Sequence, residues 1–184
     1  MSTKIIDSHL HVWADSKEAV SFPYAENQSP PEQLADRASK SALLQNMDKA
    51  GVTGSLIVQP INHKFDHTYV LSAINENKRF KAMMLHNPNH SSNEAVSQLE
   101  DLALKGFVGV RFNPYLWPEK EDGSGWEPMS KGAGLSVYKR CAELQVRGKL
   151  WKICQCFIFY FRTSIDVRLM ILFFNSFLER CQWG

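Results

Sequence analysis

Two histidines separated by one residue lie near the start of the chain, in the segment IIDSHLHVW at residues 5–13. Side chains at positions i and i+2 of a β-strand leave the same face, with Cα atoms about 6.7 Å apart. Two imidazoles placed in this way can bind one divalent cation at about 2.0–2.1 Å. The spacing therefore predicts a metal site formed by His9 and His11.

Asp7 and Trp13 stand two residues before and two residues after this pair, and in an unbroken strand they share its face. We expect Asp7 to hold a ligand histidine in the required tautomer or to line the pocket. Trp13 is expected to contact substrate. The alternative is a pair of hydrogen-bonded polar residues at a strand end. The position beside a long loop, at the end of the first strand, favours the metal site.

Four short apolar runs, each closed by polar residues or proline, predict buried strands at residues 4–12, 55–59, 81–85 and 107–112. They alternate with four amphipathic patterns. Gly51 is predicted to end the first helix, and Ser91 with Glu94 has the form of a capping box that begins the third. This order predicts an α/β fold in which helices cover a parallel sheet. Long connections at residues 14–31 and 114–133 follow strand ends, where barrel loops build active sites.

The remaining histidines are weaker candidates. His86 closes the third strand and is expected to line the same mouth as the first pair. His63 and His67 have the i, i+4 spacing that zinc sites use on helices, but no third ligand is evident, so a solvated helix start is favoured. His90 is expected on the surface of a loop.

The composition is that of an ordinary globular protein, with 44% hydrophobic and 22% charged residues. The formal net charge is +2 and no basic stripe is present, which disfavours nucleic acid as a partner. No signal-peptide pattern is visible at the start. Three of the four cysteines lie in the last 31 residues, which does not suggest a disulfide framework. These features favour a cytoplasmic location.

The motif Asp7-x-His9-x-His11-x-Trp13 resembles the opening motif of the amidohydrolase superfamily, in its amidohydrolase-related branch. That branch includes dicarboxylate lactone hydrolases and related decarboxylases. Softer similarity continues, in family order, through the segments NMDKAGV at 46–52, LIVQP at 56–60 and GVRFN at 109–113. The resemblance covers residues 4–145, about half of a family barrel.

This resemblance implies a partial (β/α)8 TIM-like barrel of about four βα units. It also implies attack of an activated water on the carbonyl carbon of a small carboxylated lactone, ester or cyclic amide. His9 and His11 would bind a divalent metal, with zinc expected, although some members of the branch work without one. Arg111 would bind a substrate carboxylate, with Asn113 beside it. An ordinary ion pair is the alternative role for Arg111.

Residues 146–184 differ in composition from the rest of the chain. We expect them to form a divergent, poorly ordered tail that does not belong to the barrel. They contain no proline, six of the eleven phenylalanines and a net charge of +4. Their apolar runs are interrupted by Arg162, Asp166 and Arg168, which disfavours a membrane span. The codons that can encode Gln145-Val146-Arg147 include a splice-donor sequence, so a truncated isoform with a translated intron is one explanation.

Complete members of the superfamily supply further histidines from strands 5 and 6 and an aspartate base from strand 8. No catalytic residue can therefore be assigned here, the base being expected beyond the truncation, and this form is expected to be inactive. Two alternatives stay open at this point. One is a non-catalytic barrel fragment that associates with a partner chain through an exposed sheet edge. The other is a protein attached to a membrane by its tail.

Overall fold

A computed structural model describes residues 4–118, 130–146 and 154–156 of the chain. These residues divide into two compact units, which meet in the sequence between Leu85 and His86. Most of the predicted tail, and residues 119–129 of the second long connection, lie outside the described residues.

The first unit is a three-stranded parallel sheet with helices. Its strands are β1 (Ile6–Leu10), β2 (Gly54–Val58) and β3 (Phe80–Leu85), and its helices are α1 (Glu32–Ala35), α2 (Lys40–Ala50) and α3 (Thr68–Glu76). Strand β2 lies between β1 and β3 and pairs with both in parallel. All five residues of β2 are buried. Such continuous burial is typical of a parallel strand that is covered on both faces.

The second unit begins with a turn that leads into α4 (Ser92–Leu104), followed by β4 (Phe107–Phe112), α5 (Gly132–Val146) and β5 (Cys154–Cys156). Helix α4 packs against both α5 and β4. Leu99 and Leu102 of α4 and Val137 of α5 are buried, and Arg140 of α5 forms an ion pair with Glu100 of α4. Strand β5 is parallel to β4, so this short part of the predicted tail extends the pattern of parallel pairing.

The α/β fold class with parallel strands is confirmed, and local signals located its helix ends correctly. Gly51 ends α2 in the left-handed region with φ of 68°, which a residue without Cβ adopts at little cost. Ser91 and Glu94 form both hydrogen bonds of the predicted capping box. The prediction for β1 was too long, since the strand ends at Leu10 rather than at residue 12. The four-residue helix α1 was not predicted.

The prediction of a solvated helix start at His63 and His67 is wrong. Both side chains are buried, with 3% and 6% of their surface exposed. The backbone N–H of Leu85 donates a hydrogen bond to Nε2 of His67 at 3.0 Å. His67 therefore ties the loop after β2 to the end of β3 within the first unit. Burial lowers the pKa of His67 to about 4.

Replacing Ser91 by alanine should lower the free energy of unfolding by about 1 kcal/mol, because the N-terminal amides of α4 lose their cap. Ser97, which is exposed in the middle of the same helix, provides the matched control. Ser97→Ala should change stability by less than about 0.5 kcal/mol. Urea unfolding of both variants checks the prediction, and equal effects would contradict it.

The stability of the chain should fall as pH drops from about 6.5 towards 4. The imidazole of His67 is neutral in the folded chain at these pH values, whereas its unfolded counterpart takes up a proton below its ordinary pKa of 6.5. The loss attributable to His67 has an upper value of about 3 kcal/mol. His67→Gln, whose side-chain oxygen can still accept from Leu85, should flatten the pH dependence measured by urea unfolding. Ser97→Ala, at an exposed position of α4, should not flatten it.

Candidate metal and substrate site

The pairing of β1 with β2 is irregular between Asp7 and Leu10, where β1 has one residue more than β2; the extra residue is called the bulge below. Asp7 is in register with Ser55 and Leu10 with Ile57, so Ser8 and His9 together face one residue of β2. A bulge of this kind changes the direction of side chains locally. Because alternate residues of β2 share a face, Asp7 and Leu10 share a face too. The histidines that flank Leu10 therefore point to the opposite face.

The imidazole rings of His9 and His11 lie close together, with centroids 5.4 Å apart and planes at 85°. Both residues are partly buried. Nδ1 of His11 lies 2.7 Å from the carbonyl oxygen of Val58, the last residue of β2. A carbonyl oxygen only accepts, so Nδ1 carries the proton and Nε2 carries the lone pair. This is the tautomer that metal coordination through Nε2 requires.

Asp7 lies on the other face from the pair, which corrects the expectation based on unbroken alternation. It is exposed, and its Oδ1 accepts a hydrogen bond from the backbone N–H of His9 at 3.1 Å. The extra residue of the bulge is what separates Asp7 from the histidine face. Asp7 thus restrains the backbone of a predicted ligand.

Trp13 is held through its backbone. Its N–H donates to the carbonyl of Ala38 at 2.9 Å, and its carbonyl lies 3.0 Å from the hydroxyl of Tyr69. Its indole Nε1 is buried and has no hydrogen-bond partner among the described residues. An indole N–H of this kind suits an oxygen acceptor on a ligand.

The long connection after β1 is bound to the loop after β2. Ala25 N–H donates to the carbonyl of Asn62 at 2.8 Å, and the amide of Asn62 donates to the carbonyl of Gln28 at 2.6 Å. Nδ1 of His63 lies 3.2 Å from the carbonyl of Pro23, and its ring stacks on Tyr24 at 4.8 Å. These bonds account for the burial of His63 and fix the position of the connection.

In the second unit, Arg111 lies on β4 with its side chain half-buried, and burial lowers the pKa of its guanidinium. Alternation along the strand places Arg111 and Asn113 on one face and Phe112 on the other. Asn113 is buried, and its Oδ1 accepts from the backbone N–H of Tyr115 at 3.1 Å. This bond stabilises the start of the 3-10 turn Pro114–Leu116.

His86 does not share the face of Arg111. Its ring centroid lies 5.2 Å from that of Phe112 and 5.6 Å from that of Trp117. The side chain is 1% exposed, and neither ring nitrogen has a hydrogen-bond partner among the described residues. Burial, with the charge of His90 as a smaller cause, lowers the pKa of His86 to about 4. Trp117 was not a candidate in the sequence, although an aromatic residue just after a strand end was a usable signal.

The predicted site residues thus fall into two sets, each within one unit. Asp7, His9, His11 and Trp13 belong to the first, and His86, Arg111 and Asn113 to the second. In the described parts of the chain, no group of three or more His, Cys, Asp or Glu side chains is placed to hold a metal ion. No helix in those same ranges is long and apolar enough to cross a membrane.

Three solved structures resemble the fold, and each alignment covers 78% of this chain and 46% of the other. One is a probable 2-pyrone-4,6-dicarboxylic acid hydrolase from Acinetobacter baumannii with citric acid bound, 20% identical with a TM-score of 0.54. Another, given the same provisional description, comes from Pseudomonas putida and is 19% identical with a TM-score of 0.54. The third is an apo protein from Agrobacterium tumefaciens, 17% identical with a TM-score of 0.53.

The chain therefore spans less than half the length of these structures, and the likeness concerns the fold of a partial TIM-like barrel. A search of curated protein sequences finds no significant match. A sequence model of the family described as Amidohydrolase matches residues 6–149, which include every predicted site residue. This chain belongs to the amidohydrolase family.

Proposed function

We propose that this chain supplies the first half of a metal-dependent active site that hydrolyses a small carboxylated lactone, ester or cyclic amide. The observation that carries the proposal is the pair formed by His9 and His11, with rings 5.4 Å apart. The bond from His11 to Val58 at 2.7 Å supports it further, because it fixes the tautomer in which Nε2 carries the lone pair. Membership of the amidohydrolase family agrees with this chemistry.

Zinc is the metal that we propose, since two imidazoles are borderline-soft ligands that suit it. A catalytic zinc normally has three protein ligands, so the further ligand must come from outside the described residues. When bound, the metal would polarise the substrate carbonyl and lower the pKa of a bound water. Val58 fixes the tautomer of His11, and Asp7 restrains the backbone of His9.

Arg111 is the proposed contact for a substrate carboxylate. Its planar guanidinium can form two parallel hydrogen bonds to a carboxylate, and partial burial strengthens such bonds. Asn113 directly follows β4, two residues after Arg111, and is proposed as its neighbour in the site. The descriptions of two similar structures name a dicarboxylic acid that is a lactone, and one of them contains citric acid. His86 is left out of the proposed contacts because its ring faces Phe112.

Replacing His9 or His11 by alanine should weaken zinc binding to the full chain by at least about tenfold, because each variant removes one proposed ligand. Competition with a chromophoric chelator at pH 7 measures the affinity. His90→Ala is the matched control and should leave the affinity unchanged. Zinc affinity that is the same in all four proteins, or no binding by the unchanged chain, would overturn the proposed metal site.

Arg111→Lys should weaken the binding of 2-pyrone-4,6-dicarboxylate by about tenfold, which corresponds to about 1.4 kcal/mol. The variant keeps the positive charge but loses the bidentate geometry. Titration calorimetry on the full chain measures the effect. Arg37, which is exposed in the first unit, offers the control substitution Arg37→Lys, and a matching loss in that variant would argue against a carboxylate site at Arg111.

A further inference from the structure

The backbone is clamped at the exit of the histidine segment. The N–H of Trp13, two residues after His11, donates to the carbonyl of Ala38 at 2.9 Å. The carbonyl of Trp13 lies 3.0 Å from the hydroxyl oxygen of Tyr69, in helix α3. Val12, which stands between His11 and Trp13 in the chain, is completely buried. Both backbone polar groups of Trp13 are therefore engaged by segments outside β1.

Tyr69 is almost completely buried, and several contacts hold its ring. Its side chain is 1% exposed, and its ring lies 5.2 Å from the ring of Phe22 and 5.4 Å from that of His63. The amine of Lys40 lies 5.6 Å from the centre of the Tyr69 ring, in the position of a cation–π contact. Removal of the hydroxyl alone would leave these ring contacts in place.

The Tyr69 hydroxyl has three neighbours but one proton. The backbone N–H of Lys40 donates to it at 3.1 Å, and two acceptors lie within reach of its proton: the Trp13 carbonyl at 3.0 Å and a carboxylate oxygen of Glu18 at 2.7 Å. Glu18 also lies 3.5 Å from the amine of Lys40. A glutamine at position 18 could donate to the hydroxyl instead, which would direct the Tyr69 proton to Trp13.

We propose that Tyr69 is a positioning residue for the metal site, acting through the carbonyl of Trp13 to hold the segment that carries His11. The inference rests on the proposed metal site at His9 and His11. Val58 holds the ring of His11 from one side, and Tyr69 holds the backbone that follows it. Partners of ligands that act in this way usually change metal affinity when they are removed.

Tyr69→Phe tests the clamp and Glu18→Gln is its matched control. Both substitutions remove the Tyr69–Glu18 carboxylate bond, but only the first removes the hydroxyl from the Trp13 carbonyl. Zinc affinity of the full chain, by chelator competition, should fall about 10- to 100-fold in Tyr69→Phe and stay within about threefold in Glu18→Gln. Hydrogen exchange of the metal-free chain should show faster exchange at the Trp13 amide in Tyr69→Phe only.

The possible outcomes separate this inference from the proposed function. If the unchanged chain and Tyr69→Phe bind zinc with the same affinity, the positioning role is overturned and the proposed metal site is still supported. Equal losses in both variants would assign the effect to the Glu18 and Lys40 charges, and would also overturn the role. No zinc binding by the unchanged chain would overturn the metal site and the positioning role together.

Discussion

The position of one proton decides what the histidine pair can do. Nδ1 of His11 donates to the carbonyl of Val58, so the lone pair stays on Nε2. That carbonyl is the last of β2, a strand whose five residues are all buried. The Val58 carbonyl cannot move without disturbing the core. The burial of β2 therefore fixes the acceptor that orients the His11 ring. This one hydrogen bond therefore links the packing of the core to the orientation of the His11 ring.

Local signals in the sequence predicted much of the fold. Gly51 ends α2 and Ser91 begins α4 because the left-handed turn and the capping box are properties of a few adjacent residues. The bulge in β1 depends on pairing with β2, whose paired residues lie 47 or 48 positions later in the chain. No alternation rule applied to residues 5–13 alone contains that information, so the face of Asp7 was predicted incorrectly.

The other histidines also show that contacts from distant parts of the chain decide where a side chain lies. The lack of a third ligand favoured a solvated role for His63 and His67, yet both are buried. The carbonyl of Pro23 and the backbone N–H of Leu85, at the end of β3, form hydrogen bonds to their rings. His86 was expected to line the mouth predicted for the first histidine pair, and its ring lies 5.2 Å from that of Phe112 in β4. Sequence identified residue types that suit chemistry, and tertiary contacts determined which of them face a common site.

The bulge also bears on how an inserted or deleted residue would affect the histidine pair. Ahead of His9, β1 has one residue more than β2. If Ser8 were lost, His9 alone would stand opposite one residue of β2, Leu10 would stay beside Ile57, and both imidazole rings would keep their present side. By contrast, the gain or loss of one residue between His9 and His11 would end the i, i+2 spacing on which their shared face depends. A single inserted or deleted residue would therefore disturb the histidine pair more within it than ahead of it.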